Sequence, residues 1–117
     1  MKRIIIFIAL LFLGACSDSS GITASSGAKV IAFGDSLTVS LGAKQGTYPE
    51  RLANTTGLQV IASGVSGEQT HEGLRRLPSV LAEHDADILV LLEGGNDFLR
   101  NPRDEAVKGN LAAMIAL

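Results

Sequence analysis

The 117-residue chain has one cysteine, two histidines and only 4% aromatic residues. It also lacks any basic run and any apolar stretch of the ~20 residues that a helix needs to cross the hydrocarbon core. Each shortage excludes something. A single cysteine cannot build a disulfide framework, so the fold must rest on a packed core. Few aromatics and no basic patch remove the stacking and charge features that grip a phosphate backbone, and nucleic acid is excluded as a partner. His71, His84 and Cys16 give no ligand set with usable spacing, so no metal is expected, and nothing in the chain calls for a cofactor. What is present, 46% hydrophobic and 19% charged residues, is the composition of one globular domain.

The first residues are of a different kind. Lys2 and Arg3 precede ten unbroken apolar residues at positions 4–13, then Gly14, Ala15 and Cys16. A short apolar core behind two positive charges and before small residues reads as an export signal over residues 1–15. An uncleaved short anchor is the minor alternative. Leu13-Gly14-Ala15-Cys16 resembles the bacterial lipobox. That resemblance implies cleavage before Cys16, acylation of its thiol, and an exported lipoprotein held on a membrane and facing the periplasm. The alternative is an ordinary Ala-type cleavage site beside an incidental cysteine, which would give a soluble periplasmic protein. Cleavage would remove Lys2 and Arg3 and shift the formal charge from −2 to −4. From Ser17 to Gly27 the chain is Ser, Gly, Ala and Thr with little else apolar, which predicts a flexible tether over residues 16–28.

After the tether, runs rich in Val, Ile and Leu at 29–33, 58–61 and 88–92 alternate with helix-like stretches. Continuous apolar strands separated by helices predict an α/β fold with a parallel sheet covered on both faces. Thr47 as cap, Pro49 in the first turn and Gly57 as stop predict a helix over 48–54. A second helix opens at Thr70 with Leu74, Leu77 and Leu81 on one face, broken or bent at Pro78. Residues 93–97 read as a loop closed by Pro102. From Asp104, the residues Val107, Leu111, Met114 and Ile115 form one apolar helical face. With about three strands, the sheet is expected to lack cover on one face and one edge.

Ligands in open parallel sheets bind outside the carboxyl ends of the strands. Gly34-Asp35-Ser36, Gly64-Val65-Ser66-Gly67 and Gly94-Gly95-Asn96-Asp97 follow the three strands in turn. Singly, each is an ordinary turn. Jointly, they bring a hydroxyl to a helix start at Ser36, where an unpaired N–H and the helix dipole favour an oxyanion. A glycine N–H such as that of Gly67 and an amide such as that of Asn96 could complete a hole of three donors. Ser66 reads as loop, because Glu68 stands where a Gly-x-Ser-x-Gly elbow needs glycine.

Gly34-Asp35-Ser36-Leu37, Gly64-Val65-Ser66-Gly67-Glu68-Gln69-Thr70 and Gly94-Gly95-Asn96-Asp97 resemble, in order and spacing, the SGNH hydrolases, also called the GDSL esterase/lipase family. Tyr48-Pro49-Glu50-Arg51-Leu52 and Gly73-Leu74-Arg75-Arg76-Leu77-Pro78 look like its branch of exported arylesterases, acyl-CoA thioesterases and lysophospholipases. The resemblance covers residues 29–117 and implies a flavodoxin-like three-layer sandwich. It implies that Ser36 is the nucleophile and also an oxyanion donor, with Gly67 and Asn96 as the other donors. Asp35 would hold the turn and Asp97 the loop that carries Asn96. The substrate implied is a small acyl ester or thioester.

Two departures stand out. Ala62 occupies a position where members often have asparagine. The family's Asp-x-x-His pair, which supplies the base and its orienting carboxylate, is absent, and no such spacing occurs anywhere in the chain. His84 is expected in a solvated loop at the wrong end of the sheet, and His71 on a helix surface. The sequence alone therefore leaves two readings. One is a serine hydrolase of esters or thioesters acting through an acyl-enzyme, of which residues 29–117 are the N-terminal part and which is inactive without the missing pair. The other is a non-catalytic truncated lipoprotein.

Overall fold

A computed structural model describes residues 24–39, 44–100 and 104–117. The expected signal peptide, Cys16, the tether up to residue 23 and Pro102 lie outside the described residues. Three parallel strands, β1 (Lys29–Gly34), β2 (Gln59–Gly64) and β3 (Ile88–Leu92), form one sheet in the order β2-β1-β3. β1 is central, and from Val30 to Gly34 it is buried throughout, as an apolar run without alternation requires. The chain steps from β1 to one side and then crosses back over it. Right-handed crossovers then place the intervening helices on opposite faces, which is the flavodoxin-like arrangement.

The register puts Ile31, Phe33, Ile61, Ser63, Leu89 and Leu91 on one face. Two helices cover it, α3 (Thr70–His84) and α5 (Asp104–Ile115). Leu77, Val80 and Met114 from these helices close the core against Ile31 and Phe33. The other face carries Val30, Ala32, Gly34 and Gly64. There α1 (Ser36–Val39) packs closely, and its buried Thr38 hydroxyl lies 3.3 Å from Tyr48 Oη on α2 (Tyr48–Thr56).

α2 starts and stops where the local chemistry dictates. Thr47 Oγ1 accepts from the Glu50 N–H while the Glu50 carboxylate accepts from the Thr47 N–H, and Gly57 ends the helix at φ 71°. The helix runs two residues beyond the predicted 48–54 to Thr56.

Four expectations are corrected. α3 is continuous through Pro78, an exposed residue inside the helix, so the lost backbone bond is borne on the solvent side. It opens at Thr70 as expected, with Gln69 as its cap. The segment read as loop contains α4 (Gly95–Arg100), so Asn96 and Asp97 sit in a first helical turn. On α5, Val107 and Met114 are buried but Ile115 is 77% exposed, because 107, 111 and 114 define the stripe and 115 turns off it. His84 is the half-buried last residue of α3 rather than a loop residue, and its carbonyl accepts from Lys29 Nζ at 2.9 Å. It does lie at the amino end of the strands. No helix among the described residues is long and apolar enough to cross a membrane.

A Cβ at Gly64 would lie 2.8 Å from the Asp35 carbonyl oxygen and 2.9 Å from Thr38 Cβ, whereas one at Gly109 would meet nothing within 4 Å. Gly64→Ala should therefore destabilise the fold by ~1–3 kcal/mol, as overpacking does. Gly109→Ala, on the exposed face of α5, should stabilise it by up to ~1 kcal/mol. Urea midpoints of the two variants check this, and equal midpoints would contradict the packing described.

Candidate active site

The turn after β1 is built by Asp35. This carboxylate is buried, and Oδ1 accepts from the Leu37 N–H at 2.9 Å, while the Asp35 carbonyl accepts from the Thr38 N–H at 3.1 Å. Such a local carboxylate bond competes with regular structure and turns the chain sharply. Ser36, half-buried, is thereby the first residue of α1, and its N–H belongs to the amides that have no acceptor within the helix.

The segment after β2 leans on the same turn. The Val65 N–H donates to the Gly34 carbonyl at 2.9 Å, and Glu68 N–H closes a tight turn onto the Val65 carbonyl at 3.2 Å. Gly67 sits in that turn at φ 79°, which a side chain would strain. Glu68, 4% exposed, is held by Arg76, whose Nε and Nη2 reach its carboxylate at 2.8 and 2.9 Å. Arg76 also donates to Ser63 Oγ at 2.7 Å and lies 4.0 Å from the centre of the Phe33 ring. The guanidinium thus ties α3, β1, β2 and the Gly67 turn together.

After β3 the chain turns at Gly94, φ 109°, and enters α4. Asn96 Nδ2 donates to the Glu68 carbonyl at 2.9 Å and to Asp35 Oδ2 at 3.4 Å. With the amide reversed, its oxygen would face two acceptors, so the neighbours fix its orientation. Asp97 is 6% exposed, and its carboxylate accepts from both the N–H and the hydroxyl of Thr70, at 2.9 and 2.7 Å. Asn110 of α5 donates to that hydroxyl at 3.0 Å. Three strand ends therefore meet: Asp35 beside Ser36, Glu68 beside Gly67, and the Asn96 amide between them.

Beside this junction lies a depression of about 290 Å³ lined by Val65, Ser66, Gly67, Glu68, Glu72 and Arg100. Arg100 reaches over Gly67, with Nη1 3.3 Å from Gln69 Oε1. Neither Ser36 nor Asn96 lines it. His71 is exposed on the first turn of α3, and among the described residues no hydrogen bond joins either histidine to Ser36. No group of three metal-ligating side chains occurs among the described residues.

Glu93 is the acidic group that sequence reasoning missed. Both of its carboxyl oxygens are buried and have no hydrogen-bond partner. Burial first, then the neighbouring Glu68 carboxyl and Asp35, push it up to about 8, with the Gly94 N–H acting in the opposite direction. The sequence signal was a lone acid at the end of an apolar strand. Glu68 and Arg76 were visible only as parts of motifs, with nothing in the sequence to pair them.

Residues 32–117 match the GDSL-like Lipase/Acylhydrolase family. An arylesterase of Vibrio mimicus is 29% identical over 123 aligned positions, covering 100% of this chain and 58% of the relative. Esterase TesA of Pseudomonas aeruginosa is 33% identical, covering 89% of this chain and 55% of the relative. The chain thus spans little more than half the length of these relatives. Among solved structures, the SGNH-hydrolase family esterase AlinE4 superposes with a TM-score of 0.70 at 29% identity, over 80% of this chain and 54% of that one. TesA does so with 0.71 at 32%, over 75% and 52%. The family match over residues 32–117 and the superposition on these esterases agree: the chain belongs to the GDSL-like lipase/acylhydrolase family.

Proposed function

We propose that the protein carrying this chain is a serine hydrolase of carboxylic esters or thioesters that works through an acyl-enzyme. The observation that carries the reading is the Asn96 amide, held at hydrogen-bond distance from Glu68 and beside Asp35. It brings one segment from each strand end to the Ser36 turn. In this reading Ser36 Oγ attacks the acyl carbon as its proton passes to a general base. The carbonyl oxygen becomes an oxyanion met by the N–H groups of Ser36 and Gly67 and by Asn96 Nδ2. The bond to the leaving alcohol or thiol then breaks and that group takes the proton, after which water releases the acid from Ser36. The long contact to Asp35 is the one that an oxyanion can replace, while the 2.9 Å bond to Glu68 keeps the amide aimed.

The surroundings favour an acyl substrate. Leu37, Val65, Phe98 and Leu99 are exposed large apolar side chains, 61%, 42%, 54% and 84% accessible, and all belong to segments at this end of the sheet. Apolar walls around a few convergent polar groups suit an acyl chain and its carbonyl. The base belongs, by the family resemblance, to an Asp-x-x-His pair, a spacing this sequence does not contain. Cys16, after a short apolar run, supports an exported and lipid-anchored protein.

Three outcomes are expected of the full-length protein. Ser36→Ala should abolish hydrolysis of short-chain nitrophenyl esters, and parental rates would refute the nucleophile. Asn96→Ala should lower kcat by ~10²–10³, as loss of one oxyanion donor does, with KM much less affected. Cys16→Ser should move the protein from the membrane fraction to the soluble one and remove incorporation of labelled fatty acid. Unchanged fractionation and labelling would contradict the anchor.

A further inference from the structure

We propose that Glu93 is a positioning residue that keeps its proton and donates it as a hydrogen bond to the Glu68 carboxylate, bracing the turn whose carbonyl aims the Asn96 amide. The inference rests on the esterase reading for its catalytic consequence, but not for the bond itself.

The geometry leaves few alternatives. A Cβ built on Gly73 would lie 3.0 Å from Glu68 Oε1, 3.3 Å from Glu93 Oε1 and 3.3 Å from Met114 Cε, so both carboxyl oxygens flank one point above α3, closed off by a methyl group. As two carboxylates the pair contains acceptors only, which is why Glu93 has no partner although it is buried. One proton supplies the missing donor. It belongs on Glu93, because the Arg76 guanidinium, the cation of the cluster, is already bound to Glu68.

The charged groups facing Glu93 are Glu68 from the β2–α3 segment and Asp35 from the β1–α1 turn, both negative. Arg76 of α3 is spent on Glu68 and Ser63, and Met114 of α5 brings only a methyl group to the point where the two carboxyl oxygens meet. A second buried charge here would be met by the Gly94 N–H alone, and burial together with the two like charges outweighs it. The result is a chain of bonds, Ser63 to Arg76 to Glu68 to Glu93, behind the Gly67 turn. Glu68 lends its side chain to this brace and its carbonyl to Asn96. When Glu93 loses its proton, the donor disappears and repulsion replaces it, so the turn that orients Asn96 loosens and kcat falls at alkaline pH.

The native state holds a proton that the unfolded chain sheds, because Glu93 is raised from 4.5 to about 8. Its contribution to stability therefore declines as pH rises through that window. Glu93→Gln keeps a donor and cannot ionise, so its urea midpoint should gain on the parent's between pH 5 and pH 8.

The decisive experiment is a pH titration of the full-length protein by NMR, following the Glu93 carboxyl carbon and the Asn96 side-chain amide, with kcat measured in parallel. The carboxyl should titrate near pH 8, and the Asn96 amide should shift with the same midpoint. In Glu93→Gln the amide should be indifferent to pH in that range, and the alkaline decline of kcat seen in the parent should be absent. Glu93→Leu, which has no donor, should lose ~10-fold in kcat at neutral pH, the worth of one hydrogen bond. A Glu93 carboxyl titrating in the ordinary range, or an Asn96 amide blind to it, would overturn the brace. If the protein hydrolyses no ester, the esterase reading fails by itself, and the NMR titration still decides for or against the Glu93–Glu68 bond.

Discussion

The site depends on one side chain amide placed between two acceptors. Asn96 Nδ2 joins α4 to the Glu68 carbonyl, 28 residues earlier, and to Asp35, 61 residues earlier. Without that bridge there are three separate turns at three strand ends, each of a kind found in any α/β protein. With it, the residue next to Ser36, the residue next to Gly67 and the amide itself occupy one small volume. The order β2-β1-β3 makes the bridge possible, since the β1 and β3 ends are neighbours and the chain diverges between them.

Two buried polar sets support the bridge from behind. Arg76 and Glu68 pack under Phe33 and Ser63, and Asp97 clips the start of α3 through both polar groups of Thr70. A buried ion pair adds little net stability against an apolar replacement, but breaking it leaves a charge stranded, so such sets fix geometry more than they raise stability. That is the use made of them here. Under the proposed function the donors gain from being held still, and the bonds that hold them are short, charge-assisted and mostly buried.

Much of this was legible in the sequence. Strand positions follow from unbroken Val, Ile and Leu runs, and α2 from Thr47, Pro49 and Gly57, because those signals are local and physical. The three polar clusters were found because the carboxyl ends of parallel strands gather loops. What escaped is what tertiary contact decides. Gly94-Gly95-Asn96-Asp97 has the composition of a turn, yet Asp97 binding Thr70 draws it into a helix. Pro78 should interrupt a helix, but on an exposed face of a helix packed by Leu77 and Val80 the loss is borne. Glu93 looks like a strand-end surface acid, and only the crossing of α3 at Gly73 reveals that it is enclosed beside Glu68.

A crystal structure of the full-length protein carrying a covalent phosphonate tests the central claim most directly. The account predicts an adduct on Ser36 Oγ whose phosphoryl oxygen lies about 2.7–3.1 Å from Ser36 N, Gly67 N and Asn96 Nδ2, with Asn96 still bonded to the Glu68 carbonyl. A phosphoryl oxygen pointing to solvent, or an Asn96 amide that stays on Asp35 and never meets it, would contradict it.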